Sequence, residues 1–418
     1  MPIASRRVWG GPPGSRAADR LPQIVAIAIS VLLAVRVNLP LNLHLGAAAA
    51  LLLLPVTLPA ARRYRGGLVI FVLSALAAVN GALLTLASVV DHTATTSQMV
   101  SESFRLFAIG ICVITLLWAR SVIGLHGTAA AYGAGTLLNV ALDGVNPDNA
   151  WKFSLSVPVT LLVLSLPAVT RTLKREVAAM VALAVVSAVF DSRSLAATLV
   201  IAAALLLIRR RPDGTSQRSP FTVGVQITVI GIAGFFALQS AMVEGVLGEQ
   251  VQERTAEQIE ATGSVLLGGR PELGATLALL RAQPWGYGTG TKPSFEDIQI
   301  AKEGMATLDY NPINNGYVDR YMFGSKFEVH SLIGDLWLLG GLAGAAFAAA
   351  ILIYVVYGMS SSIAIGTATG VALFLGTRTL WDLFFSPIGT TYFTVALCLA
   401  LLLPRHRRDR HTVPWGGG

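Results

Sequence analysis

Charge is scarce in this sequence. Only 13% of its 418 residues are Asp, Glu, Lys or Arg, 54% are hydrophobic, and mean hydropathy is +0.64. A soluble domain of this size carries about a quarter of its residues charged, so the balance excludes one and points to a polytopic membrane protein. Cysteine is nearly missing. Cys112 and Cys398 both fall inside apolar runs, which excludes a disulfide framework and a thiolate metal site and leaves two small buried hydrophobes. No unit of 20–50 residues repeats, so the two-halves symmetry of common twelve-helix transporters is not visible. A small-residue cleavage site is also lacking after the first apolar run, so that run is expected to be retained. The Ser5-Arg6-Arg7 triplet reads as flanking charge on the cytoplasmic side.

What is present is a series of apolar runs set off by polar breaks, at about 21–36, 43–60, 67–90, 106–121, 127–143, 153–170, 177–190, 194–208, 221–241, 331–357, 360–377 and 388–403. Most are long enough, or nearly so, to cross a hydrocarbon core of roughly 30 Å, and the seventh and eighth are short enough to form one broken hairpin. The expected fold is all-α, with about twelve transmembrane helices and a large, partly helical extracytoplasmic loop between helices 9 and 10.

Basic residues follow every even-numbered run except the tenth: Arg62, Arg63 and Arg65, then Arg120, then Arg171, Lys174 and Arg175, then Arg209, Arg210, Arg211 and Arg218, and finally Arg405, Arg407, Arg408 and Arg410. Short basic loops stay in the cytoplasm, so both termini are expected there. The chain then divides into a cytoplasmic tail (1–20), helices 1–9 (21–241), the extracytoplasmic loop (242–330), helices 10–12 (331–403) and a basic cytoplasmic tail (404–418). Net charge of +8 is explained by topology and asks for no nucleic-acid partner.

Inside the loop, Gln250–Thr262 is polar and helix-compatible. Pro271, Glu272, the Leu273/Leu277/Leu280 face, Arg281 and the stop at Pro284 predict a short amphipathic helix. Gly286, Gly288 and Gly290 then require a turn.

Three signals carry chemistry. First, Arg36, Lys152, Arg193, Arg270, Arg281, Arg320 and Arg378 stand on the outer side, against the positive-inside trend, and near a bilayer the matching anion is a phosphate. Any one of them alone reads more simply as a headgroup contact or a local ion pair; their accumulation on one side favours a ligand. Arg193, in Phe190-Asp191-Ser192-Arg193-Ser194, is wedged between two apolar runs and needs either Asp191 or a ligand. Second, of six histidines only His44, His92 and His330 fall on the outer side, and His330 alone joins the large loop to a membrane helix, where it suits a general base. No neighbouring ligand cluster accompanies it, so no metal site is expected. Third, Asp309, Tyr310, Asn314, Asn315, Tyr317 and Arg320 combine amide, charged and aromatic groups that suit sugar hydroxyls and ring faces, and equally suit an ordinary loop with tight turns.

The ordered set of about twelve helices, a large loop after the ninth, Ser192-Arg193-Ser194 between helices 7 and 8, Gly268-Gly269-Arg270 followed by Pro284-x-Gly286-x-Gly288, and His330 before Gly341-x-x-Gly344 resembles the bacterial O-antigen ligase and O-antigen polymerase superfamily. The resemblance covers most of the chain as architecture, and residues 190–195 and 263–344 as motif. It implies glycan transfer from a polyprenyl-diphosphate carrier to a hydroxyl acceptor (a glycan, glycolipid or protein) on the outer face of the bacterial cytoplasmic membrane, with membrane lipids as surroundings and no cofactor or metal. By that resemblance Arg193 and Arg270, with Lys152 beside them, hold the diphosphate. His330 activates the acceptor hydroxyl, and the Pro284, Gly286 and Gly288 turn shapes the loop over the site. The chain departs from the family pattern at Ser331, where Asn is usual. It departs again at Leu339, where an acid is expected and Asp335 stands one helical turn earlier. The expectation is a divergent member serving some other cell-surface polysaccharide. Two rival readings remain: a flippase or transporter of lipid-linked glycans, and a peptidoglycan polymerase of the shape, elongation, division and sporulation type. A transporter should place polar breaks in mid-membrane, where Asn80 and Asn139 are among the few here.

Overall fold

The computed structural model describes residues 14–209, 219–243, 270–311 and 316–406. The predicted segments Gln250–Thr262 and 263–269, and the residues Asn314 and Asn315, lie outside the described residues. What is described is almost entirely helical, apart from one two-stranded hairpin, β1 (Asn38–Leu39) with β2 (Leu43–His44). The helices are α1 (Gly14–Ala34), α2 (Leu45–Leu52), α3 (Leu54–Ala61), α4 (Gly67–Ser88), α5 (Thr96–Asp143), α6 (Ser156–Ser165), α7 (Pro167–Thr170), α8 (Leu173–Val189), α9 (Arg193–Leu207) and α10 (Pro220–Val243). After the loop come α11 (Glu272–Ala282), α12 (Phe295–Ala306), α13 (Leu332–Ala364), α14 (Gly370–Phe385) and α15 (Ile388–Leu402).

Three of these, α4, α5 and α13, are long and apolar enough to cross a membrane. α5 is the central post. Every residue from Ala108 to Leu117 is buried, as expected of a helix that is apolar on all sides, and α1, α4, α6 and α15 all pack on it. Outward, α4 shows Leu68, Val69, Val72, Leu76, Val79, Leu83 and Leu86. A continuous apolar stripe of that length is a lipid-facing surface.

Several apolar runs are divided differently from the sequence pattern. The run at 43–60 begins as the β-hairpin, and its helix starts only after His44, which accepts from Ala47 N–H through Nδ1 and so caps α2. The fourth and fifth runs form one continuous element that breaks at Gly124 (φ +76°). The eleventh run, placed at 360–377, is cut by Ile365–Thr369: its first part belongs to α13, and α14 begins at Gly370. α13 itself breaks at Gly341 (φ +58°).

That second break is filled by the Pro284–Thr291 segment, which lies between α4 and α13. Tyr287 and Gly288 both donate backbone N–H to the Leu338 carbonyl (2.8 and 3.1 Å), Asn80 Nδ2 donates to the Gly340 carbonyl (2.9 Å), and Thr289 N–H reaches the Gly81 carbonyl (3.1 Å). Backbone groups freed by a broken membrane helix must find partners inside the protein, and these contacts supply them.

Outside the bundle, α11, α12 and a π-helical turn (Tyr317–Met322) enclose a second core of Leu279, Met305, Val318, Met322, Phe323 and Phe327 over Trp337. α11 forms as the sequence predicts, yet it turns a different face inward. Gly274, Ala275 and Leu279 are buried while Leu277 is 53% exposed. The reason is a close crossing of backbones: a methyl group on Gly274 would lie 2.1 Å from the Gly304 carbonyl oxygen, so only the glycine face of α11 fits α12.

Candidate functional site

The C-terminal half of α14 reads Arg378-Thr379-Leu380-Trp381-Asp382-Leu383-Phe384-Phe385. Helical spacing puts Trp381 and Phe385 on one face, their rings 4.6 Å apart, and the Arg270 guanidinium rests over both, 5.5 and 5.4 Å from the ring centroids. Among the described residues Arg270 has no carboxylate within ion-pair distance. An arginine held by aromatic faces keeps its N–H donors available to an anion. On the same helix Arg378 pairs with Asp382 (3.4 Å), which also accepts from Ser386 Oγ.

His330 stands directly before α13 in the left-handed backbone region (φ +54°). Two neighbours hold it there. Ser331 caps α13 and donates Oγ–H to the Leu383 carbonyl at 3.2 Å, tying the histidine to the C-terminal half of α14. Asp335, wholly buried, accepts from Val329 N–H and from Ile388 N–H (both 2.8 Å), joining the segment before His330 to the start of α15. The imidazole lies 5.4 Å from the Tyr317 ring, and its Nδ1 is buried without a partner among the described residues.

Tyr317 links His330 to Arg270. Its Oη donates to Glu272 Oε1 (2.8 Å), two residues from Arg270, while Glu272 Oε2 is buried and unpartnered among the described residues. Burial and then the Glu272 charge push the Tyr317 hydroxyl well above its ordinary range, with Arg270 pulling weakly the other way. It therefore stays protonated and remains a donor. Glu272 Oε2 and His330 Nδ1, both unpartnered among the described residues, thus flank one tyrosine, beside a guanidinium with no acidic partner among those residues.

Lys152 and Arg193 form a separate cluster. A π-helical turn (Trp151–Leu155) carries Lys152 to within 3.3 Å of Asp191, and Arg193 Nε reaches the other carboxylate oxygen at 2.9 Å. Despite some desolvation, the two cations hold the Asp191 carboxyl below its usual range. Asp191 is thus the partner that the half-buried Arg193 required. α9 packs on α14, with Thr377 Oγ1 donating to the Thr198 carbonyl (3.3 Å), so Arg193 lies at the same end of this helix pair as the Trp381–Phe385 platform. No described ion pair or hydrogen bond joins the two clusters.

The remaining candidates are dispersed. Pro284 accepts from Trp337 Nε1 (3.1 Å), and Gly286 (φ +88°) and Gly288 (φ +101°) lie in the segment that fills the α13 break. Asp309 (φ +56°) and Tyr310 line a shallow cavity of about 390 Å³ with Lys302 and Asn311, and Arg320 is exposed on the π-helical turn. Glu272, Trp381, Phe385 and Asp335 escaped the sequence reading as site residues. The i, i+4 aromatic pair beside an outer arginine was the signal that could have found the platform.

No protein-family model, curated protein or solved structure matches the chain. Any functional reading rests on the residues and their geometry.

Proposed function

We propose that the chain is a membrane glycosyltransferase, a ligase or polymerase of the O-antigen type, moving a glycan from a polyprenyl-diphosphate carrier to a hydroxyl acceptor. In this reading the chain crosses the bacterial cytoplasmic membrane about twelve times, with both termini inside and the 242–330 loop outside. The observation that carries the proposal is Arg270, held on Trp381 and Phe385 and linked through Tyr317 to His330, where among the described residues Arg270 has no acidic partner and His330 Nδ1 no hydrogen-bond partner.

In the reaction the acceptor oxygen attacks the anomeric carbon, the bond from that carbon to the diphosphate oxygen breaks, and its electron pair leaves with the diphosphate. His330 takes the hydroxyl proton. Arg270 neutralises the charge developing on the leaving group, where a fixed guanidinium costs no reorganisation, and Arg193 and Lys152 from the separate Asp191 cluster assist in holding the diphosphate. Tyr317, as a protonated donor, and Glu272 orient polar groups of the substrate. A single displacement inverts the anomeric configuration.

The test is transfer from a purified polyprenyl-diphosphate glycan to a broad acceptor pool in detergent with a chelator, comparing the native protein with His330→Ala and Arg270→Ala. Release of free polyprenyl diphosphate by the native protein, abolished in both folded variants, is the expected result. Absence of turnover, together with carrier movement across vesicles that ignores His330, would instead identify a flippase.

A further inference from the structure

At the end of the bundle opposite His330, α13 finishes at Ala364, α15 at Leu402, and α5 passes Arg120 on its way to the Gly124 break. Between them lies a cavity of about 350 Å³ whose polar lining is Arg120, Arg405, Ser361, Ser362 and Thr367; no lining residue is Asp or Glu. Glu176, at the same end, is engaged elsewhere, accepting from Gly370 N–H and facing Arg209 at 3.9 Å.

Arg120 is held through its guanidinium and Arg405 through its backbone. Arg120 Nη1 donates to the Ala400 and Leu403 carbonyls (2.8 and 3.0 Å), closing the C-terminus of α15, and its guanidinium lies 5.3 Å from the Tyr64 ring centroid. Arg405 is clamped through its backbone, since it bridges to Tyr64 while Arg65 N–H bonds the Pro404 carbonyl (2.9 Å) and His406 N–H the Arg63 carbonyl (2.8 Å). Its Nε is buried and has no partner among the described residues. Two like charges lining one cavity together with serine and threonine hydroxyls, one of the two arginines carrying a buried donor unpartnered among the described residues, call for an anion. Arg62, Arg63 and Arg65 nearby are exposed, so water serves them and they make no such demand.

We propose that this cavity binds a phosphate group, supplied either as the headgroup of an anionic membrane phospholipid or as free phosphate. Basic pockets between membrane helices on the cytoplasmic side take acidic headgroups by this chemistry. Arg120 and Arg405 pair with the phosphate oxygens while the serine and threonine hydroxyls face the ester side. The site is independent of the glycan-transfer reading.

The test is thermal unfolding of the full chain in nanodiscs of phosphatidylcholine alone and with added phosphatidylglycerol, with a second arm of inorganic phosphate in detergent. The native protein should gain about 3 °C or more from at least one source. Arg405→Gln, and Ser361→Leu as a cavity-filling variant, should lose most of that gain while Arg62→Gln, which removes an equal charge outside the cavity, keeps it. A gain with phosphatidylglycerol but not with inorganic phosphate assigns a lipid headgroup; a gain with inorganic phosphate assigns a site that takes the free ion. No gain in either arm, or an equal loss in Arg62→Gln and Arg405→Gln, overturns the proposal.

Discussion

Arg270 illustrates how a charge can be held without an opposing charge among the described residues. The Trp381 and Phe385 rings stabilise the cation from below and leave its edge free. Arg270→Lys retains the charge but loses the planar fork and its stacking, so the rate of glycan release should fall about tenfold to a hundredfold with little change in unfolding temperature. Steady-state assays on the two proteins check this; an unchanged rate would mean that the platform has no part in turnover. Asp335 acts one step back, as a positioning residue. Its two oxygens each accept one backbone N–H, and Asp335→Asn can satisfy only one of them, leaving a buried donor facing an amide NH₂. The expected cost is about 2 kcal/mol, read as a lower unfolding temperature in detergent. Asp335→Glu, which keeps both acceptors, should recover part of that loss.

At the scale of elements, the break in α13 and the segment that fills it form one unit. Gly341 sits at φ +58°, and a methyl group there would lie 2.4 Å from the Trp285 carbonyl oxygen; at Gly286 it would lie 2.7 Å from the Trp337 carbonyl oxygen. Gly341→Ala should therefore destabilise by more than about 2 kcal/mol, strain and clash together, and Asn80→Leu by roughly 1–2 kcal/mol through the orphaned Gly340 carbonyl. Chemical-denaturant titrations of the two variants measure both. The hairpin before α2 gives a pH-dependent element. His44 donates Nε2–H to the Val35 carbonyl (2.8 Å), accepts at Nδ1 from Ala47 N–H, and stacks on Phe393, so both nitrogens are satisfied by the neutral ring. Burial, partly offset by the Val35 bond and reinforced by Arg36, lowers its pKa from 6.5 to about 4. A depressed folded value means that the stabilisation is fully present above pH 6.5 and is lost as pH falls toward 4, a range worth roughly 3 kcal/mol. The unfolding temperature of the native protein should drop across that window, and His44→Gln should flatten the drop.

Across the whole molecule, the layer of α11 and α12 is tied to the bundle by specific side-chain and backbone bonds. Asp297 accepts from His92 Nε2 (2.9 Å) and closes the α12 capping box with Ser294, while Lys292 and Thr95 exchange backbone bonds with Thr93 and Gly290. Asp297→Ala removes the cap and the tether together. Amide exchange should then accelerate over 284–306 and stay unchanged in α5 and α15; uniform acceleration through the chain would show that the two layers unfold as one.

Composition pointed to a helical chain with spans apolar enough for a membrane, since a mean hydropathy of +0.64 leaves little polar surface for water, and the structure is mostly helical with three helices long and apolar enough to cross one. The ends of most helices were also legible, since Gly, Pro and charge mark them. The break at Gly341 was not, for glycine within an apolar run does not say whether a second segment arrives to bond the opened carbonyls. Nor could the pattern show that the glycine face of α11, not its leucines, turns inward, because that depends on how near Gly304 comes. The partners of the candidate residues were decided by tertiary structure for the same reason. Asp191 lies two residues from Arg193, but the platform under Arg270 comes from α14, more than a hundred residues away, and the tyrosine beside His330 reaches it only through a π-helical turn. Hydrophobic periodicity records which faces are apolar; which polar groups meet at the end of a bundle depends on the order in which those faces pack.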